Sequence, residues 1–114
     1  MIWNYDGKRF RVACNSAAGQ TSAATTFLYH QQENILWGTY AGGAIVKGTL
    51  TGLVREGGGL EFHYTHVNTA GEICSGICRS TPEVLSDGRL RLSEKWRWTT
   101  GDQSEGESTI EEFV

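Results

Sequence analysis

The chain has 114 residues, a formal net charge of −3 and a sequence pI of about 5.5. This length fits one domain, residues 1–114, with one modest core, and the acidic balance argues against nucleic-acid or anionic-membrane partners. No apolar run approaches the roughly 18 residues of a membrane span, and no signal peptide is visible. Three cysteines, an odd number, favour reduced thiols and a cytoplasmic location over a disulfide-rich secreted scaffold.

Turn signals rich in glycine, asparagine and aspartate divide the chain into short runs of β-branched and aromatic residues. We predict a short extended piece at 2–5 and strands near 8–13, 24–32, 35–41, 44–54, 60–67, 72–80, 89–99 and 108–113. No window has an apolar period of about 3.6 residues, so no helix is predicted. About eight short strands joined by tight turns favour an all-β fold, a single antiparallel up-and-down β-barrel.

Alternation along each strand decides which side chains point into the barrel, because successive side chains lie on opposite faces of a sheet. In the strand at 24–32 this alternation is ambiguous. Its inward pair is either Phe27 and Tyr29 or Leu28 and His30.

Glycines are expected opposite large rings, as the tapering interior of a small barrel requires. A loop over residues 55–59 places Gly48 beside His66 on the neighbouring strand. A turn through residues 42–43 places Trp37 opposite Gly48, and therefore inside the barrel.

The hairpin around residue 70 assigns the inward faces of two strands, because the turn sets the register of every pair behind it. A four-residue turn from Asn68 to Gly71 pairs Val67 with Glu72. The inward residues of this hairpin are then Leu60, Phe62, Tyr64, His66, Ile73, Ser75 and Ile77.

The segment 89–99 has the clearest alternation in the chain. Its apolar face must point inward and consists of Leu90, Leu92, Glu94, Trp96 and Trp98. A two-residue turn over residues 87–88 pairs Arg79 with Trp96 on the preceding strand. We therefore expect Arg79 inside the barrel and Cys78 outside. The two hairpins agree on an inward Ile77.

The outward face of the same segment is a basic stripe of Arg89, Arg91, Lys95 and Arg97. The C-terminal segment carries the acidic residues Asp102, Glu105, Glu107, Glu111 and Glu112. If this segment folds back as the next strand, cross-strand ion pairs explain the stripe better than an anionic partner does.

The segment 63–78 contains two histidines and two cysteines and raises the question of a metal site. Cys74 and Cys78 share a strand face but lie about 13 Å apart at roughly 3.3 Å per residue, too far for a disulfide or a shared zinc ion. His63 and His66 differ by an odd number of residues and therefore face opposite sides of the sheet. His63 could approach Cys74, but two ligands do not close a site, so no metal is expected.

The polar residues of the inward faces form the candidate functional site. They are Tyr64, His66, Ser75, Arg79 and Glu94, framed by Trp37, Phe62, Trp96 and Trp98. Aromatic walls with a few convergent polar groups are typical of small-ligand pockets, and Arg79 would face an anionic or carbonyl group. Because a buried carboxylate and guanidinium are costly unless paired, the alternative is an internal Arg79–Glu94 ion pair that closes the barrel end.

Two further functions stay open alongside small-molecule binding. His66 and Glu94 could act as acid and base of a small barrel enzyme, because a lumen of low dielectric shifts pKa values. The protein could instead be a structural module that forms a homodimer. The outward residues expected on that contact surface are Cys74, Cys78, Ile45 and Leu53. No cofactor is expected, since the glycine-rich stretches at 39–52 and 57–62 do not form a phosphate-binding loop.

Three blocks of sequence carry a resemblance: NYDGKRFRV near the start, GICRSTPEVLSDGRLRLSEKW in the middle and GDQSEGESTIEE at the end. In this order they resemble a family of small, uncharacterised bacterial proteins often labelled N-acetylglutamate synthase-like. The resemblance implies a bacterial cytoplasmic protein with a lipocalin- or avidin-like barrel, and it supplies no catalytic residues to transfer. The usual acetyltransferase fold needs helices and a pyrophosphate-holding loop, which this sequence does not offer, so the label does not describe a mechanism here.

Overall fold

The fold is a closed antiparallel barrel of eight strands, seen in a computed structural model that describes residues 3–16 and 19–113. The strands are β1 (Arg9–Asn15), β2 (Thr26–Gln32), β3 (Ile35–Gly42), β4 (Ile45–Val54), β5 (Leu60–Asn68), β6 (Ile73–Val84), β7 (Leu90–Trp98) and β8 (Glu105–Phe113). Each strand pairs with the next along the chain, and β1 closes the ring by pairing with β8. The predicted all-β up-and-down barrel is therefore confirmed.

Between the strands, the described residues form turns, loops and one short 3-10 segment, Glu56–Gly58. Of the extended piece predicted at 2–5, residue 2 lies outside the described residues, and residues 3–5 form no strand. Within 3–16 and 19–113, no helix is long and apolar enough to cross a membrane.

The two ends of the barrel are closed in different ways. The segment 3–8 covers the lower end, where the Tyr5 hydroxyl donates a hydrogen bond of 2.5 Å to the Gly58 carbonyl oxygen. Large side chains that are completely buried fill the lower half: Tyr5, Phe10, Tyr29, Leu36, Leu92 and Ile110. The upper end carries the long loop between β1 and β2, and the interior cavity lies towards this end.

The inward face predicted for β7 is confirmed. All five of its members are buried: Leu90, Leu92, Glu94, Trp96 and Trp98. In β2 the buried pair is Phe27 and Tyr29, which resolves the ambiguity in that strand. Leu28 and His30 are half-buried on the outer face.

The register of β6 differs from the prediction by one residue on both of its sides. The loop before β6 consists of residues 69–71, three rather than four, and Gly71 has φ 78°. The loop after β6 consists of residues 86–88, three rather than two, and Gly88 has φ 88°. A three-residue loop that ends in a left-handed glycine is a common hairpin connection, and both hairpins of β6 use it.

A register shift of one residue turns every side chain of a strand to the other face. The inward placement predicted for one set of β6 residues is therefore wrong: Ile73, Ser75, Ile77 and Arg79 lie on the outer face. Cys78, predicted outside, is 4% exposed and stands between Phe62 and Trp96 on the neighbouring strands. The two predicted hairpins agree on Ile77 because the predicted turn before β6 is one residue too long and the predicted turn after it is one residue too short.

Gly48 stands beside His66 as predicted, but its partner on β3 is Tyr40 rather than Trp37. A bulge in β4 at residues 46–47 shifts the register there. The inward placement of Trp37 is therefore wrong, and its indole stacks on the His30 ring of the outer face with 5.7 Å between centroids. A Cβ atom at position 48 would lie 2.5 Å from the Tyr40 ring, so the approach of that ring requires glycine.

The basic stripe of β7 pairs with acidic residues of the same sheet. Arg91 Nη2 lies 2.7 Å from Glu111 Oε2 on β8, and Arg89 Nε lies 2.6 Å from Asp87 Oδ2 in the preceding turn. The remaining cations and their partners in register are Lys95 with Glu107 and Arg97 with Glu105. The stripe thus has acidic neighbours within the barrel wall, as the sequence predicted.

Candidate functional site

A cavity of about 50 Å³ lies in the upper half of the barrel. Because a water molecule occupies about 30 Å³ in the liquid, this space suits a small chemical group. Its aromatic walls are Phe27, Tyr40, Phe62, Tyr64, Trp96 and Trp98. Its polar lining consists of Asn15, Gln20, Thr21, His66, Cys78, Glu94 and Ser108.

Most of the predicted site residues come together in this cavity: Phe62, Tyr64, His66, Glu94, Trp96 and Trp98. The other three, Trp37, Ser75 and Arg79, lie on the outer face. Ser75 Oγ there lies 2.8 Å from Thr65 Oγ1. The alternative of an internal Arg79–Glu94 ion pair is therefore wrong, and the described part of the lining contains neither arginine nor lysine.

Glu94 projects from the middle of β7 into the cavity, and the described groups that hydrogen-bond to its carboxylate are neutral. Ser108 Oγ donates to Oε1 at 3.0 Å, and Ser80 Oγ donates to Oε2 at 3.2 Å. The Cys78 thiol lies 3.7 Å from Oε2. Burial raises the pKa of Glu94 from 4.5 to about 7, against the opposing effect of these hydrogen bonds. Near neutral pH the carboxyl group is therefore present in both its protonated and its ionised form.

His66 is the centre of a hydrogen-bond chain closer to the upper end. The Tyr40 hydroxyl lies 2.8 Å from Nδ1, and Gln20 Oε1 lies 2.9 Å from Nε2. Because an amide oxygen can only accept, Nε2 carries the proton and the Tyr40 hydroxyl donates to Nδ1. Burial lowers the pKa of His66, which favours this neutral form.

Gln20 closes the upper end of the cavity from the loop between β1 and β2. Its Oε1 also accepts from Asn68 Nδ2 at 3.2 Å, and its Nε2 donates to Cys74 Sγ at 3.4 Å. Sequence reasoning missed Gln20 because a loop has no alternation that indicates where a side chain points. The inward position of Cys74 was missed because it depends on the register of β6.

Three further residues of the lining were also missed. Tyr40 faces the cavity because the bulge in β4 sets its register with β3, and no residue pattern indicated that bulge. Ser108 lies two residues before the completely buried Ile110, so alternation along β8 could have assigned it to the lumen. Asn15, at the end of β1, lines the cavity, and its buried Oδ1 has no hydrogen-bond partner among the described residues.

The histidines and thiols do not assemble a metal site. His63 lies outside and His66 inside, as predicted, and Cys74 stands beside His66 rather than near His63. Residues 3–16 and 19–113 contain no group of three or more His, Cys, Asp or Glu residues that could hold a metal ion. Cys78 and Ile45, which were expected on a self-association surface, are 4% and 2% exposed and do not belong to one.

Comparison with known proteins gives one match. Residues 3–113 match the model of a family described as Avidin-like protein. The chain matches no curated protein and no solved structure. The family match agrees with the closed eight-strand barrel, and it gives no support to the synthase-like label or to a bacterial source.

Proposed function

Because the chain belongs to the avidin-like family, we propose that its barrel binds one small organic molecule in the cavity of the upper half. The observation that carries this proposal is the lining, which combines a continuous aromatic wall with a few hydrogen-bonding groups. The mouth of a β-barrel is a frequent position for a pocket of this composition.

The aromatic wall is held in place by contacts among its own rings. The Tyr64 and Trp98 centroids lie 5.5 Å apart, and the Trp96 and Trp98 centroids lie 5.6 Å apart. The His66 ring meets Trp98 edge to face at 5.6 Å. A wall that is already packed loses little conformational entropy when a ligand binds, which favours affinity.

The ligand contacts that we propose are Glu94 and His66, with Tyr64 beside them and the tryptophan rings as walls. We do not expect an anionic ligand, because Arg79, the residue predicted to bind it, points away from the lumen. A ligand larger than the cavity would extend past the Gln20 side chain, which lies at the upper end.

An acid–base enzyme is the second candidate, and one observation favours it. Glu94 and His66 line the same cavity, and a carboxyl group with a pKa of about 7 suits proton transfer near neutral pH. Against it, both ring nitrogens of His66 are already hydrogen-bonded, to Tyr40 and Gln20. If a reaction is found, unchanged turnover in Glu94→Gln and His66→Gln would remove this candidate.

We also propose self-association, through exposed apolar residues on the outer face of β3 and β4. This surface replaces the predicted one that included Cys74 and Cys78. Ile35 and Trp37 of β3 are 45% and 39% exposed, and Leu53 pairs with Ile35 on the same face. Sizing chromatography of the wild type and of Trp37→Ser tests it. A wild type that elutes as a monomer at high concentration would contradict it.

A thermal-shift screen with neutral, cationic and anionic fragments tests lumen binding. Ser108→Leu fills the cavity, and Ser93→Leu makes the same change at an exposed position of the neighbouring strand. A ligand at about 100 times its Kd stabilises the folded state by about 2.7 kcal/mol, which a melting curve resolves. We expect hits that raise the Tm of the wild type and of Ser93→Leu but leave that of Ser108→Leu unchanged. Equal shifts in all three proteins, or no hit for the wild type, would contradict the proposal.

A further inference from the structure

We propose that the ligand carries a small organic cation, an amidinium or guanidinium group, that pairs with the Glu94 carboxylate inside the aromatic wall. This inference rests on the proposed function and names the chemical class of the ligand. The outward position of Arg79 leaves the lumen without a described cation.

Glu94 is a buried acid that lacks a cationic partner among the described residues. Its hydrogen-bond partners are two hydroxyl groups and a thiol, from Ser80, Ser108 and Cys78. Lys95 is the residue after Glu94 on β7, and Arg79 lies on the neighbouring strand β6. Both side chains are exposed on the opposite face of the sheet. A buried carboxylate is costly unless it is paired, so the ionised form of Glu94 is stabilised by a cation that enters the lumen.

The other titratable groups around Glu94 do not provide that cation. They come from four strands and are Tyr29, Tyr40, Tyr64, His66 and Cys78. Burial raises the pKa values of the three phenols and of the thiol, so these groups stay neutral near pH 7. Burial lowers the pKa of His66, so the imidazole is neutral as well.

Acceptor atoms in the lumen are available to a donor-rich head group. A carboxylate offers about four acceptor positions, and Glu94 Oε1 uses one of its two for Ser108. The buried Oδ1 of Asn15 has no described hydrogen-bond partner. Amidinium and guanidinium groups donate several N–H bonds in a plane and accept none, which matches a lumen with spare acceptors.

The walls favour a cation over a neutral group of the same shape. Aromatic faces attract cations through the quadrupole of the ring, most strongly for tryptophan and in a desolvated site. Trp96 and Trp98 lie on the same strand face as Glu94, and Tyr64 packs against Trp98. The cavity of about 50 Å³ has room for a planar head group only, so the remainder of the ligand would leave past Gln20.

Two probes of matched shape separate the effect of the ligand's positive charge from the effect of its size. Methylguanidinium and N-methylurea have nearly the same size and shape, and both donate N–H bonds, but only the first is a cation. Their affinities are measured by NMR titration at equal ionic strength, with wild type, Glu94→Gln and Glu56→Gln. Glu56→Gln is the control because it removes one carboxylate from an exposed position of the 3-10 segment.

We expect methylguanidinium to bind wild type and Glu56→Gln at least about tenfold more tightly than N-methylurea, and Glu94→Gln to bind the two about equally. In wild type, the affinity for methylguanidinium should rise by up to about 100-fold between about pH 5 and about pH 8, as Glu94 loses its proton. The pH arm uses the unmodified protein and keeps the test valid if Glu94→Gln fails to fold.

Three outcomes overturn the inference, and they differ in what they say about lumen binding. Equal affinity for both probes, or tighter binding of the urea, removes the cation and leaves a lumen that binds small molecules. Failure of both probes, while a neutral fragment from the thermal-shift screen binds, has the same meaning. Failure of both probes and of all fragments removes the proposed function as well.

Discussion

Glu94 should make the folded protein less stable as the pH rises, and the size of the effect follows from its burial. Burial raises its pKa from 4.5 to about 7 in the folded state, and about 1.4 kcal/mol corresponds to each pKa unit. Below pH 4.5 both the folded and the unfolded chain carry the proton, so the folded state has no penalty. As the pH rises from about 4.5 to about 7, the unfolded chain ionises while the folded protein keeps its proton, and the folded state loses about 3 kcal/mol relative to the unfolded one.

The measurement is urea unfolding, followed by tryptophan fluorescence, at about pH 5 and about pH 8. Glu94→Gln keeps the size of the side chain and removes its ionisation, so its stability should exceed that of the wild type by about 2.5 kcal/mol more at the higher pH than at the lower. Glu56→Gln, an exposed position, should follow the wild type at both pH values. Parallel pH profiles for wild type and Glu94→Gln would refute the assignment of Glu94 as a buried acid without a cationic partner.

Three further changes test other parts of the lumen and its surroundings. The hydroxyl of Tyr29 is buried without a described partner, so Tyr29→Phe should leave the free energy of unfolding unchanged or slightly higher. Tyr40→Phe should lower it by about 1 kcal/mol, because the His66 imidazole loses a hydrogen bond. Gly48→Ala should cost roughly 1–3 kcal/mol in the same urea assay, because its Cβ would lie 2.5 Å from a tyrosine ring. Thiol labelling followed by mass mapping should modify exposed Cys14 in the folded protein and reach buried Cys78 only on unfolding; rapid labelling of Cys78 would contradict the register of β6.

Alternation along β7 was sufficient to assign its inward face. Its apolar and charged residues alternate except at Ser93 and Glu94, and one face of the strand is enclosed by the barrel. A slip of one residue would bury Arg91 and Lys95 and expose Trp96, so the physical penalty for the wrong face is large. The same reasoning placed Glu94 in the lumen correctly.

Turn length could not be predicted in the same way, and it determines which residues of β6 face the lumen. Sequences such as SDG and NTAG are compatible with loops of two, three or four residues, and the choice depends on where the left-handed glycine falls. In the structure, Gly71 and Gly88 each end a three-residue loop. That single residue moved Arg79 from the lumen to the outer face and left Glu94 without the expected counter-charge. The bulge in β4 likewise places Trp37 on the outer face.

The pairing of β1 with β8 has a consequence for the order of the chain. Arg9 stands opposite Phe113, so the strands visited first and last are neighbours at the lower end of the ring. A circular permutant, with a linker joining them and a new break in an upper loop such as 99–104, would keep all eight strand pairs. The β1–β8 pair would become a local hairpin, while β7–β8 would become the pair between the first and last strands. The balance of local and long-range pairs is therefore kept, and the folding rate should change little. The cavity should survive such a rearrangement, because it depends on the closed ring and not on the order in which its strands are connected.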